Sequence, residues 1–157
     1  MNMQPNRAQR RAMARSKNVQ QPRIVPLPAL LDEFTVFDMP QTILDQISNG
    51  SIDSVQGVPV FRDNAGVWTQ IVPALEGWIF TWNMINEKLQ LNLNLQPLSI
   101  VSKRLHNSVP LTKENIGAAQ ICLSQCRKAF RLSNRQQIVS IAQTAQIAIF
   151  MEQKKNG

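Results

Sequence analysis

The chain has 157 residues and a formal charge of +7, which comes from 17 Lys and Arg against 10 Asp and Glu. This length suits one domain, because a chain of this size can bury about two thirds of the surface that it exposes when unfolded. No stretch approaches the roughly 18 uninterrupted apolar residues of a membrane span, and the charged N-terminus lacks the apolar region of a secretory signal, so we predict a soluble protein with no membrane span.

Residues 1–29 are predicted to form a flexible basic arm. Residues 1–31 contain six basic side chains, no acid and four prolines. A stretch of this composition cannot bury enough apolar surface to offset the entropy of ordering, so we expect the arm to be disordered until a partner holds it. The bases predicted to contact a polyanion are Arg7, Arg10, Arg11, Arg15 and Lys17.

The charge pattern leaves the partner of the arm open. Nucleic acid is the preferred hypothesis, because Lys and Arg neutralise phosphates and release their counterions, and the pattern does not distinguish DNA from RNA. An acidic protein surface or an anionic lipid would attract the same charges. Residues 32–98 have a net charge of −6, so the arm could also fold back on this acidic middle, in its own chain or in a neighbouring subunit.

The compact body is predicted to occupy residues 30–157. Its first segment, Phe34-Thr-Val-Phe37, is predicted to be extended. Pro40 suits the first turn of a helix in which Ile43, Leu44 and Ile47 lie on one side, and Gly50 is positioned to end that helix.

Residues 55–71 are predicted to form a β-hairpin. Apolar and β-favouring residues flank Asp63-Asn64-Ala65-Gly66, which is typical turn chemistry. Pro59 has no amide donor, so its strand should lie at an edge or should begin pairing after the proline.

A central core helix is predicted to begin at Pro73, because apolar residues follow at helical spacing as far as Leu89. From residue 89 to residue 95 leucine alternates with Gln and Asn, which fits a strand better than a helix but leaves both open. A short helix is then predicted over residues 97–107.

The C-terminal region is predicted to contain two helices that form an antiparallel pair over residues 112–153. Thr112 is expected to cap the first helix, which has an apolar stripe at spacings of three and four residues. Ser133 and Gln136 are expected to form a capping box for the second. The predicted fold class is therefore mainly α with a small β-hairpin, an α+β domain that follows the disordered arm.

Few residues of the body point to catalysis or to a cofactor. The chain has one histidine, His106, which is expected at the surface near a helix end, and it has no Tyr, no glycine-rich phosphate loop and no Cys/His cluster with metal-ligand spacing. Cys122 and Cys126 lie four residues apart and are interpreted as reduced core residues. We therefore predict a protein without enzymatic activity, cofactor or metal, while an enzyme without a recognisable motif stays an alternative.

A second group of basic residues lies near the end of the first C-terminal helix. Arg127, Arg131 and Arg135 are spaced by four, with Lys128 beside them, and an unbroken helix would align them to reach successive phosphates. Arg127, Lys128 and Arg131 are therefore candidate polyanion-binding residues. The alternative is that these charges favour the helix macrodipole and that a cap near Ser133 interrupts the stripe before Arg135.

The segment Asn6-Arg-Ala-Gln-Arg-Arg-Ala12 resembles the start of many small bacteriophage proteins, including some tail assembly chaperones. The resemblance implies a phage or prophage origin and a location in the bacterial cytoplasm or in a virion. The leading hypothesis is a non-catalytic accessory or assembly protein, with a helical body for protein contacts, including contacts in a homo-oligomer, and an arm for nucleic acid. The alternative is a purely protein-binding assembly chaperone or virion subunit.

Overall fold

The computed structural model describes residues 32–156 and shows a mainly helical α+β fold, as predicted. The predicted arm lies outside the described residues. Between residues 32 and 156 the chain forms five helices and one three-stranded antiparallel sheet. The helices are α1 (Glu33–Asn49), α2 (Ile71–Leu89), α3 (Gln96–His106), α4 (Lys113–Leu132) and α5 (Arg135–Asn156), and the strands are β1 (Asp53–Val55), β2 (Val58–Arg62) and β3 (Trp68–Gln70).

Helix α1 begins earlier than the sequence predicts, so the extended assignment of residues 34–37 is wrong. Asp32 caps the helix by accepting a hydrogen bond from the backbone N–H of Phe34, and Pro40 lies inside the helix instead of in its first turn. A proline at this position cannot donate to the carbonyl of Val36, four residues before it. Trp78 of α2 supplies the missing donor, because its Nε1 lies 3.0 Å from Val36 O. Gly50 ends the helix, as predicted, and its backbone has the left-handed conformation.

Replacing Trp78 with phenylalanine should therefore cost more in the natural sequence than in a chain that also has Pro40→Ala. The single substitution leaves the Val36 carbonyl without a donor, at about 1–3 kcal/mol. In the Pro40→Ala background the new amide at position 40 can bond to this carbonyl. Urea unfolding of all four proteins should give a coupling free energy of about 0.5–3 kcal/mol, and strictly additive effects would contradict this account.

The sheet contains the predicted hairpin and one strand more. Strand β2 is central, between β1 and β3, and the β2–β3 turn contains the predicted Asp63–Gly66 segment. Pro59 pairs with Ser54 of β1, and pairing with β3 begins after the proline, at Val60. The additional hairpin, β1–β2, turns at Gln56 and Gly57, which both have positive φ, as a tight two-residue turn requires.

Helix α2 is the central core helix, and the leucine-rich segment after it is neither strand nor helix. Gln90 and Asn92 have positive φ, which breaks both repeats. The segment is held by Asn86, whose Nδ2 donates to Leu93 O at 2.9 Å and whose Oδ1 accepts from Leu93 N at 2.8 Å. Leu91 and Leu93 are half-buried against the core and Leu95 is buried. The alternation of leucine with polar residues therefore reflects alternate side chains that face the core, in a segment that pairs with no strand.

The last three helices form at the predicted places but pack differently. Helix α4 packs on α1 and α3, whereas α5 packs on α2, so the predicted antiparallel pairing of the last two helices is wrong. Thr112 and Asn115 form a reciprocal capping box at the start of α4. The cap of α5 is Asn134, which accepts from the backbone N–H groups of Gln136 and Gln137, and the predicted Ser133 cap is wrong.

One large core joins all five helices. Phe37 of α1 lies at its centre, with ring centroids 5.4 Å from Trp82, 5.7 Å from Trp78 and 5.7 Å from Phe130. A smaller apolar cluster around Ile43 and Phe61 fastens the sheet to α1 and α2. None of the helices within residues 32–156 has the length and apolarity needed to cross a membrane.

Candidate functional site

Arg127 of the predicted basic stripe binds groups of its own chain. Its Nη2 donates to Gln41 Oε1 at 2.8 Å, and its Cζ lies 5.2 Å from the centroid of the Phe37 ring. The side chain is half-buried between α4 and α1. A guanidinium over an aromatic face is stabilised by the ring quadrupole, so this arginine joins the two helices.

Arg131 also contacts α1. Its Nε and Nη2 both lie 2.8 Å from Glu33 Oε1, and this hydrogen-bonded carboxylate raises the pKa of the Arg131 guanidinium. The Arg131 side chain is 63% exposed, so the pair is a surface ion pair that water and salt weaken. Lys128, between the two arginines, is exposed.

The stripe does not continue to Arg135. Helix α4 ends at Leu132, and Arg135 is the first residue of α5, where its Cζ lies 5.3 Å from the centroid of the Phe130 ring. The helix is therefore interrupted at the place that the alternative interpretation predicted. The candidate residues of the arm, Arg7, Arg10, Arg11, Arg15 and Lys17, lie outside the described residues.

Replacing Arg127 with methionine should lower the free energy of unfolding by about 1–3 kcal/mol, because a charged hydrogen bond and a cation–π contact are both lost. The neighbouring Lys128→Met is the matched control, since this side chain is exposed, and should change stability by no more than about 0.5 kcal/mol. Urea unfolding of the two variants measures the difference. Equal effects would mean that Arg127 does not join α4 to α1.

The two cysteines are buried and unpaired by a disulfide, as the sequence predicts. Cys122 Sγ donates to Asn94 O at 3.3 Å. The hydrogen bond with Cys122 and burial raise the pKa of the Cys126 thiol, which keeps it protonated. Residues 32–156 contain no group of three or more His, Cys, Asp or Glu side chains placed to hold a metal.

His106 and the carboxylates Asp38 and Asp63 are not grouped into a site. His106 is exposed as the last residue of α3. Asp63 Oδ1 accepts from the backbone N–H groups of Ala65 and Val67, and Asp38 Oδ2 accepts from Asn64 Nδ2 at 2.6 Å. These carboxylates stabilise the β2–β3 turn and its contact with α1, which is a structural role.

An apolar groove with a volume of about 150 Å³ lies between α1, α2 and α5. The N-terminal half of α1 contributes Val36 and Met39. Helix α2 contributes its small residues and two tryptophans, which stack with their ring centroids 5.4 Å apart. Helix α5 lines the opposite wall. The apolar residues along these two walls are Pro73, Ala74, Gly77, Trp78, Trp82 and Ile85 on α2, and Ile138, Ala142, Ile149 and Phe150 on α5.

The sequence pattern does not predict this groove. Gly77 interrupts the apolar stripe of α2, and a Cβ atom built at this position would lie 3.7 Å from Ile149 Cδ1, so α5 passes close to the glycine. Ala74, Gly77 and Thr81 follow each other at helical spacing along the groove. This row of small residues is the signal that was available, but it indicates a close approach without saying which helix makes it.

Comparison of the chain with protein-family models, with curated proteins and with solved structures found no match.

Proposed function

We propose that this chain is a non-catalytic accessory or assembly protein of the bacteriophage type, whose basic arm engages nucleic acid while its helical body makes protein contacts. In this proposal the protein works in the bacterial cytoplasm or in a virion. Its action is binding, without a cofactor and without a chemical step.

The observation that supports the arm as the polyanion-binding element is the placement of the charges. Residues 1–31 hold six bases and no acid, whereas Arg127 and Arg131 of the body are held by Gln41 and Glu33 of α1. Six lysines of the body are exposed, and they are spread over four different helices. They are Lys88, Lys103, Lys113, Lys128, Lys154 and Lys155. Phosphate binding needs a dense run of positive charge, and the sequence of the arm, which has no acid, supplies one.

The outer face of α5 supports the protein-binding role of the body. Ile147 and Met151 are one helical turn apart and are 54% and 56% exposed. Contiguous exposed apolar residues on a soluble domain mark sites of protein contact, because the exposed surface is costly in water. This face also favours the second candidate function, a purely protein-binding assembly chaperone or virion subunit.

Capture from a nuclease-treated lysate separates the two functions. A partner that the arm holds through nucleic acid would be lost after nuclease treatment, whereas a protein bound by the outer face of α5 would remain. Ile147→Ser with Met151→Ser should remove such a protein without altering binding of a DNA duplex. Direct binding of labelled duplex DNA, compared between the natural chain and a chain with a neutralised arm, tests the nucleic-acid function itself.

A further inference from the structure

The apolar groove between α1, α2 and α5 has walls that are partly exposed to water. Val36 and Met39 on α1 are half-buried, and Phe150 on α5 is 48% exposed at its rim. Apolar walls exposed to water favour an apolar occupant. Four side chains that can form hydrogen bonds are placed around these walls, namely Thr35, Thr81, Gln146 and Gln153.

A segment of the same chain has the composition that this groove requires. Residues 24–31, immediately before the cap of α1, read Ile-Val-Pro-Leu-Pro-Ala-Leu-Leu and contain no charged or hydrogen-bonding side chain. Pro26 and Pro28 fix φ near −65° and favour an extended, polyproline-like backbone, which lowers the entropy lost when the segment is bound. The carbonyl groups of such a backbone are free to accept hydrogen bonds from amide side chains, such as those of Gln146 and Gln153 at the groove.

The first turn of α1 lies at the groove, next in sequence to this segment. Asp32 is the N-cap, so Leu31 holds the position before the cap and Val36 the fourth helical position. Apolar residues at these two positions commonly pack together and fix the direction in which the chain enters the helix. Val36 lines the groove and is anchored there through Trp78 Nε1. A leucine at position 31 that packs on Val36 would therefore place the preceding residues at the start of the groove.

The lengths agree as well. Eight residues of extended, polyproline-like chain span about 25 Å. The wall of α2 from Pro73 to Ile85 is about 18 Å long. The segment can thus follow the whole groove without leaving its attachment to α1.

We propose that residues 24–31, which we term the strap, pack in the apolar groove of their own chain, across α1, α2 and α5. With the strap in the groove, only residues 1–23 of the basic arm extend from the body, and they leave it at the end of the groove. This inference does not rest on the proposed function, because it concerns a contact within the chain that forms without a polyanion.

Photo-crosslinking in the full chain tests the strap. Benzoylphenylalanine replaces Phe150, at the rim of the groove, and mass spectrometry maps the products. We expect crosslinks to residues 24–31, and a mixture of isotope-labelled and unlabelled chains should give no mixed products. The matched control has the same probe at Phe80, which is 44% exposed on α2 and does not line the groove, and it should not reach the strap.

Two variants sharpen the result. Leu27→Ser with Leu30→Ser should remove most of the crosslink, because burial of two leucines is worth a factor on the order of 100 in the docking equilibrium. Met13→Ser with Val19→Ser, outside the strap, should leave the crosslink unchanged. Products between chains would show that a second copy fills the groove, and products with no contact to residues 24–31 would show that the strap lies elsewhere. Either outcome overturns the proposal.

Discussion

Replacing Phe37 with alanine is expected to lower the free energy of unfolding by about 3–5 kcal/mol. Phe37 is 0% exposed and contacts three other aromatic rings, those of Trp78, Trp82 and Phe130. Its removal leaves a cavity where α1, α2 and α4 meet and takes away the ring beneath the Arg127 guanidinium. Urea unfolding followed by tryptophan fluorescence measures the loss, since two tryptophans line the same site.

The matched control for this substitution is Phe34→Ala on the same helix. Phe34 is 69% exposed, so its removal should change stability by no more than about 0.5 kcal/mol. Phe37→Leu keeps much of the apolar volume and should cost less than Phe37→Ala, the remainder reporting the aromatic contacts. Similar losses in the free energy of unfolding for Phe34→Ala and Phe37→Ala would mean that Phe37 is not at the centre of the core.

The sequence predicts the existence of most helices because their apolar stripes repeat at helical spacing. It fails at the start of α1 for a physical reason. Thr35 and Val36 favour strands, and a proline at position 40 normally indicates a helix start. The helix continues through Pro40 because a side chain 38 residues later in the chain, Trp78, donates to the carbonyl that the proline leaves unpaired. A local pattern contains no information about that donor.

Side-chain amides explain two other features that local patterns miss. Asn86 holds Leu93 through both of its backbone groups and so replaces the partner strand that the leucine alternation suggested. Gln46 of α1 does the same for Arg62 in β2, accepting from Arg62 N at 3.0 Å and donating to Arg62 O at 2.6 Å. In both cases a side-chain amide pairs with a backbone N–H and C=O of a residue that is not its neighbour in sequence, so the pattern of apolar residues does not reveal the contact.

The candidate site was predictable only in part. The break in the basic stripe before Arg135 follows from capping chemistry in the segment that links α4 and α5, although the capping residue is Asn134 instead of Ser133. The contacts of Arg127 and Arg131 with α1 could not be predicted from the sequence, because their partners lie more than eighty residues earlier in the chain. The groove could not be predicted from the sequence either, since its walls come from three helices that are far apart in the chain.

Neutralising the arm is expected to remove most of the salt dependence of nucleic-acid binding. If five bases of the arm contact phosphates of a DNA duplex, the affinity should fall with salt to a power of about 4.5, a loss on the order of 500-fold between about 50 and 200 mM salt. On single-stranded nucleic acid the same contacts give a shallower slope, about 0.7 per phosphate, so the two slopes also indicate the preferred form. Fluorescence anisotropy with labelled oligonucleotides measures both.

The design compares two full chains that lose the same charge in different places. Each variant replaces five bases with glutamine and so lowers the formal charge of +7 by five. The arm variant should bind weakly and with little dependence on salt, whereas the body variant should keep the steep slope. The slope depends on the number of bases that contact phosphates and not on the net charge of the protein. Equal loss in both variants would mean that net charge, and not the arm, attracts the nucleic acid. The arm variant replaces Arg7, Arg10, Arg11, Arg15 and Lys17, and the body variant replaces the exposed Lys88, Lys103, Lys113, Lys154 and Lys155.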